Sequence, residues 1–241
     1  GDPDLITLKG MRLLQTADVV LYDKLVNPDL LEYVRRDAEI IFVGKEGPKP
    51  DDSPERLRRV SQQGKINELI VELAEKGKQV VRLKGGDPFI YGRGGEEMVA
   101  AAEKGIELRV VPGITAALGA ASYAGIPLTY RNMSVSVRFV TGHRVDESKE
   151  DEYFQELAMP NQTLVIYMGL VGLADLLKNL VKAGRTPNTP AVVIENATLP
   201  GQVEVYGTIE TLAAQAMEGK IKGPTTIIVG EVVAFGNAKY S

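Results

Sequence analysis

Between Val81 and Glu97 the chain gathers residue types that can hold a ligand. Gly85 and Gly86 follow the apolar run Val80, Val81 and Leu83, and lead at once into Asp87 and Pro88. Adjacent glycines admit positive φ and let a flat or bulky ligand come within van der Waals distance of the main chain, where a Cβ would stand in the way. Asp87 is then the carboxylate nearest to whatever binds. Gly92, Gly94 and Gly95 surround Arg93 and lead to Glu96 and Glu97, whose charges favour the positive end of a helix starting there. One short segment thus offers close backbone approach, an anion and a cation. Taken alone, a glycine-rich turn with ordinary caps has the same composition.

Such a turn is useful where a parallel strand ends, because an open α/β sheet keeps its ligand beyond the carboxyl ends of its strands. The rest of the chain supplies that sheet. Leu5, Leu8, Met11 and Leu14 fall at helical intervals through a helix over Thr7 to Gln15. Strands follow at Asp18 to Asp23 and Glu39 to Val43, separated by a helix over Pro28 to Arg36. From Glu46 to Lys65 the sequence turns polar, with Pro48, Pro50, Pro54, Arg56, Arg58 and Arg59, a composition that reads as a loop or lid. A helix over Ile66 to Lys76 precedes the strand Lys78 to Leu83. Glu96 to Lys104 is helical, Glu107 to Val111 extended, and Ile114 to Ala124 a helix of small residues. This alternation predicts a parallel, doubly wound sheet.

The pattern breaks around Pro127 to Asn132, which divides the chain into lobes of residues 1–130 and 131–241. The second lobe has strands at Val135 to Thr141, Thr163 to Met168, Ala191 to Glu195 and Thr225 to Val233. Its helices span a charged stretch ending near Leu157, Val171 to Ala183, and Ile209 to Met217. Gln202 to Tyr206 alternates apolar and polar residues as an antiparallel strand does. Two α/β lobes with mostly parallel sheets and an interlobe cleft is the simplest architecture.

Composition narrows the chemistry. A formal net charge of -4 leaves no basic surplus to neutralise phosphates, so a general nucleic-acid binder is not expected. Zero cysteines and a single histidine, His143, leave neither thiolate nor multi-histidine metal sites, so no metal is expected. No apolar run approaches the ~20 residues that cross a bilayer, and no membrane association is expected.

In shared order, several segments identify the chain as similar to the tetrapyrrole methylases, and within them to the branch acting on uroporphyrinogen III. They are Gly1 to Leu5, Val20 to Asp23 with Leu25 and Val26, Val43 to Lys45, Arg82 to Glu97, Pro112 to Ala116, and Pro127 to Thr129 with Arg131. Val137 to His143, Tyr167 to Gly169, Glu195 to Thr198 and Gly230 to Val233 complete the set. The resemblance spans nearly the whole chain. In the family the first motif continues backwards as a strand and a glycine-proline turn, so a segment before Gly1, including the first strand of that lobe, is expected to be missing.

The resemblance implies C-methylation of uroporphyrinogen III at two pyrrole carbons by S-adenosyl-L-methionine, giving precorrin-2 for sirohaem and cobalamin and S-adenosyl-L-homocysteine as the second product. Matching motifs would place Gly85, Gly86, Asp87, Ile90, Thr115, Ala116, Met168, Ala197 and Thr225 on the cofactor. Arg93, Glu96 and Arg131 would meet the substrate, whose carboxylates suit guanidinium forks. Asp23 would accept a proton and Lys45 donate one. An exposed aspartate is a weak base near neutrality, so this role calls for burial or an anionic neighbour. The resemblance also implies a cytoplasmic homodimer. His143 belongs to the family pattern but, as a lone histidine after a strand, reads as structural. Two departures bear on substrate entry: the long charged stretch Glu46 to Lys65, and Tyr130 where a histidine is usual.

Other readings are a methylase of this fold acting on a later precorrin or a non-tetrapyrrole acceptor, and a nucleotide-binding module without chemistry. A Rossmann dehydrogenase fits less well, since no strand-linked Gly-x-Gly-x-x-Gly with a downstream ribose acid occurs.

Overall fold

The computed structural model describes residues 1–44, 55–142 and 150–237. Lys45, His143 and the first part of the stretch from Glu46 lie outside the described residues. The chain forms two compact units, Gly1–Thr115 and Ala116–Ser241, so the division falls earlier than the expected junction at residue 130. The small-residue helix explains the difference. Ala117, Gly119, Ala120 and Ala121 are buried, the helix lies on a strand of the second sheet, and the Ala117 N–H donates to the Tyr167 hydroxyl at 3.0 Å.

In the first unit, α1 (Leu8–Thr16) starts at Thr7, whose hydroxyl accepts the Gly10 N–H at 3.1 Å, an ordinary N-cap. Strands β1 (Val19–Tyr22), β2 (Glu39–Phe42) and β3 (Val80–Leu83) form an all-parallel sheet in the order β2-β1-β3. Alternation divides β1 between two faces. Val20 packs with Leu14, Ala17 and Val34 on the α1 side, whereas Val19 and Leu21 pack with Ile70 and Leu73 of α2 (Glu55–Glu75) on the other. Helix α3 (Gly94–Glu103) packs on α2.

Three local expectations differ here, the first being that the helix expected over Pro28 to Arg36 is a 3-10 helix over Pro28–Tyr33. Residues 55–65, read as loop, are the first turns of α2; the prolines that suggested a loop all precede Glu55, and the residues after it are mostly good helix formers. Glu107 to Val111 has no sheet pairing among the described residues.

The second unit opens with α4 (Ala116–Tyr123). Its sheet contains β4 (Ser136–Thr141), β5 (Gln162–Tyr167), β6 (Pro190–Glu195), β7 (Val203–Thr208) and β8 (Thr225–Val229), in the order β4-β5-β8-β6-β7. One face carries α5 (Glu150–Leu157), α6 (Leu173–Lys182) and α7 (Leu212–Glu218). The i, i+4, i+7 residues Leu173, Leu177 and Leu180 of α6 bury against a layer that includes Leu164, Ile166, Val193 and Ile227.

The two-lobe α/β class holds, but the second sheet is not mostly parallel. β4 and β5 run parallel, while β8 opposes both β5 and β6, and β7 opposes β6. The alternation over Gln202 to Tyr206 did mark the antiparallel edge strand. Buried on both faces, β8 shows no apolar–polar alternation, and such a run reads the same in either direction. It also ends sooner than expected, at Val229, where Gly230 turns the chain at φ 150 before α8 (Val233–Asn237).

Candidate active site

Parallel pairing brings the chemistry-bearing residues of the first unit to one edge. Tyr22 is in register with both Phe42 and Leu83, so Asp23, Val43 and Lys84 leave the sheet together. Asp23 makes a local turn: its Oδ1 accepts the Leu25 N–H at 2.9 Å. Its Oδ2 lies 2.7 Å from Arg82 Nη2. The residue is half-buried and its charged neighbour is a cation, where the proposed role calls for burial or an anionic neighbour.

Arg82 stands inside an apolar strand. Val81 and Leu83 flank it on the α1 side, and Val80 shares its own face toward α2. Its Nη1 donates to the Leu83 carbonyl at 2.8 Å and the Leu21 carbonyl at 3.4 Å, and its Nε to Glu97 Oε1 at 3.3 Å. Glu97 Oε1 also receives Lys84 Nζ at 3.0 Å and Gln63 Nε2 at 3.4 Å. Burial lowers the pKa of the Lys84 ammonium, with Arg82 nearby acting in the same sense. Asp23, Arg82, Glu97 and Lys84 form one network of two cations and two carboxylates. Sequence reasoning missed it as a group. The available signal was a charge, Arg82, within a strand whose other residues are aliphatic.

The glycine turn that follows β3 is open to solvent at Gly85 and Gly86, and Gly86 has φ 76. Its neighbours are crowded by main chain, not by vacant space. A Cβ on Gly85 would sit 2.8 Å from the Leu25 carbonyl oxygen; on Gly113, 2.3 Å from that of Gly86; and on Gly92 and Gly94, 2.7 and 2.6 Å from that of Pro88. Asp87 ties the turn down, Oδ1 accepting the Phe89 N–H at 2.8 Å and Oδ2 the Gly113 N–H at 3.0 Å. Ile90 is half-buried, Thr115 is buried at the end of the first unit, and Ala116 is exposed at the start of the second.

Arg93 occupies the N-cap of α3 with left-handed backbone, φ 59. Its fork grips Glu96, Nε to Oε1 at 2.8 Å and Nη2 to Oε2 at 2.7 Å. That hydrogen bonding holds the Glu96 carboxyl below its ordinary range and raises Arg93. Glu96 also lines a hollow of about 370 Å³ with Asn67, Val99, Ala100 and Glu103.

In the second unit antiparallel pairing does the same work. Thr225 is in register with Glu195, and Thr226 with Tyr167. The start of β8 and the ends of β5 and β6 therefore share one edge, and that edge carries Met168, Ala197 and Thr225. The backbone there is constrained: Met168, Asn196 and Thr198 have φ of 55, 50 and 67. Left-handed backbone is unusual for a β-branched residue and concentrates at functional turns. The Glu195 carboxylate accepts the N–H groups of Lys222 and Gly223, and the Asn196 N–H donates to the Pro224 carbonyl at 3.0 Å. The Thr198 N–H donates to Gln202 Oε1 at 2.7 Å, Gln202 Nε2 to Glu204 Oε1 at 2.7 Å, and the Tyr206 hydroxyl to Glu204 Oε2 at 2.7 Å. Burial and that last bond push the Tyr206 hydroxyl pKa up. Arg131 is exposed at the tip of a loop closed by a bridge between Tyr130 and Ser134, and makes no ion pair with another described residue.

The model for Tetrapyrrole (Corrin/Porphyrin) Methylases fits residues 1–213. The chain belongs to the tetrapyrrole methylases. Siroheme synthase of Pseudomonas aeruginosa (strain UCBPP-PA14) is 53% identical to this methylase chain over 233 residues, which are 97% of the chain and 48% of the relative. The chain spans about half the length of the curated relatives it matches. Among solved tetrapyrrole methylases, uroporphyrin-III C-methyl transferase from Thermus thermophilus, complexed with S-adenosyl homocysteine, is 34% identical with a TM-score of 0.77, covering 97% of this chain and 94% of its own. A cobalt precorrin-4 methyltransferase is 29% identical with a TM-score of 0.79, covering 97% and 92%. Among the described residues of this methylase no helix is long and apolar enough to cross a membrane.

Proposed function

We propose that the chain catalyses S-adenosylmethionine-dependent C-methylation of uroporphyrinogen III at two pyrrole carbons, giving precorrin-2, and works in the cytoplasm as a homodimer without nucleic-acid or membrane partners. The observation that carries this is the open glycine turn at the carboxyl edge of an all-parallel sheet, in a tetrapyrrole methylase 34% identical to a uroporphyrin-III enzyme solved with S-adenosyl homocysteine. The residues fit such a cofactor. Gly86 offers exposed main chain at positive φ, and Asp87 fixes the turn through the Phe89 and Gly113 N–H groups.

When bound, S-adenosylmethionine supplies an electrophilic methyl group, leaving as S-adenosylhomocysteine with the sulfur electron pair. Gly85, Gly86, Asp87, Ile90, Thr115, Ala116, Met168, Ala197 and Thr225 are the residues that would hold it, contributing proximity and orientation. Ile90 and Met168 keep water from solvating the cationic donor. Arg93 and Arg131 receive the ring of carboxylates, with Glu96 holding the Arg93 fork until the substrate arrives. Asp23 accepts the proton lost as the macrocycle becomes precorrin-2, and Lys45 returns one.

Calorimetric titration with S-adenosylhomocysteine tests the cofactor seat. Gly86→Val, which puts a branched side chain at φ 76, should abolish measurable binding, whereas undiminished binding would move the cofactor elsewhere. Asp23→Asn separates chemistry from binding: turnover should fall while cofactor affinity stays near normal, and unchanged turnover would remove Asp23 from the mechanism.

A further inference from the structure

We propose that Arg82 is a positioning residue, holding the Asp23 carboxylate in its working orientation while Glu97 and the Leu83 carbonyl hold Arg82. This rests on the reading of Asp23 as proton acceptor. The geometry is that of a fork supported on every side. One end of the guanidinium meets Asp23 Oδ2 at 2.7 Å, Nη1 meets the Leu83 carbonyl at 2.8 Å, and Nε meets Glu97 Oε1 at 3.3 Å. Side-chain exposure is 22% for Asp23, 13% for Arg82, 11% for Lys84 and 5% for Glu97. Water therefore competes little for these bonds, and the order of burial runs inward from Asp23 to Glu97.

Stability alone is a weak reason for this network, since a buried ion pair is often matched by apolar residues of similar volume. Its place argues for more. Arg82 projects from the strand that feeds the glycine turn, and Glu97 lies in the first turn of the helix that follows it. The most exposed member is Asp23, at the edge where the three strands finish. Because Leu25 N–H fixes the other carboxylate oxygen at 2.9 Å, the two bonds together leave the carboxylate a single orientation. Lysine cannot replace this arginine, since an ammonium is a point donor and cannot span Asp23, Glu97 and a carbonyl at once.

The test compares Arg82→Lys, Asp23→Asn and the double variant. Arg82→Lys should lower kcat on the order of 100-fold, the scale of an ångström's misplacement, with substrate KM and S-adenosylhomocysteine affinity within about twofold. In the ligand-free protein the ¹³C resonance of the Asp23 carboxyl should shift in Arg82→Lys. The double variant should be no slower than Asp23→Asn alone, because the two residues act as one unit. If Asp23→Asn is impaired but Arg82→Lys is not, or their losses multiply, the positioning role is overturned while Asp23 keeps its own. If Asp23→Asn is fully active, the reading beneath falls and this proposal falls with it. Should Arg82→Lys not fold, Glu97→Gln carries the same expectations with a loss of about tenfold, because Arg82 then keeps its charge and loses its rear support.

Discussion

At Gly113 an added Cβ would lie 2.3 Å from the Gly86 carbonyl oxygen, closer than any relaxed contact allows. Gly113→Ala must therefore displace the Gly86 turn, and we expect a stability loss of about 1–3 kcal/mol by denaturant unfolding, with weaker S-adenosylhomocysteine binding by calorimetry. Unchanged binding would mean that the turn does not touch the cofactor. The two glycines between Leu83 and Asp87 are visible in the sequence, but their division of labour is not. Gly86 supplies positive φ, while Gly85 makes room for the Leu25 carbonyl of a distant loop, a neighbour that only the folded chain brings near. Arg93 and Glu96 illustrate the same limit. Their i, i+3 spacing allowed a surface pair or a substrate site, and the structure shows the pair. Arg93→Ala should raise KM for the polycarboxylate substrate while leaving cofactor affinity unchanged; an unaltered KM would return the pair to a surface role.

Strand edges carry the next level of organisation. Parallel strands in the first unit and antiparallel ones in the second each bring chain reversals to one rim of their own sheet, so residues as far apart as Met168, Ala197 and Thr225 lie at one edge of the second. The position of these strands was legible from apolar runs and glycine stops. The direction of β8 was not, because a strand buried on both faces has no alternation to read. The rim of the second unit is held by the chain from Thr198 through Gln202 and Glu204 to Tyr206. Gln202→Ala leaves the Thr198 N–H without its acceptor, and we expect about 1–2 kcal/mol of lost stability together with faster hydrogen exchange at the Thr198 amide. Exchange as slow as in the parent protein would show that another group holds this turn.

For the molecule as a whole, protonation weakens the fold on the acid side of the pH scale. Four carboxyls at or near the surface are held below their ordinary range: Asp18 by the Gln79 N–H and then Arg35, Asp37 by Arg35, Glu96 by Arg93, and Glu107 by Arg109. A carboxyl whose pKa is lower folded than unfolded gives stability that is present above the unfolded value and lost as pH falls through the folded one. Denaturant midpoints should therefore decline as pH drops below about 4, and less steeply in high salt, which screens exposed pairs. The buried ammonium of Lys84, also lowered by burial, costs stability while charged. That cost is full below its folded pKa and disappears as pH rises toward 10.5, the ordinary lysine value. Midpoints that stay flat on the acid side would mean that these hydrogen bonds are not kept in solution.

Methyl transfer to the macrocycle is the activity proposed for the whole molecule. Incubating the chain with uroporphyrinogen III and methyl-labelled S-adenosylmethionine, and counting methyl groups carried per ring by mass spectrometry, measures it directly. The account predicts two methyl groups on carbon, with S-adenosylhomocysteine formed in step. A protein that binds S-adenosylhomocysteine but leaves uroporphyrinogen III unmethylated would contradict it.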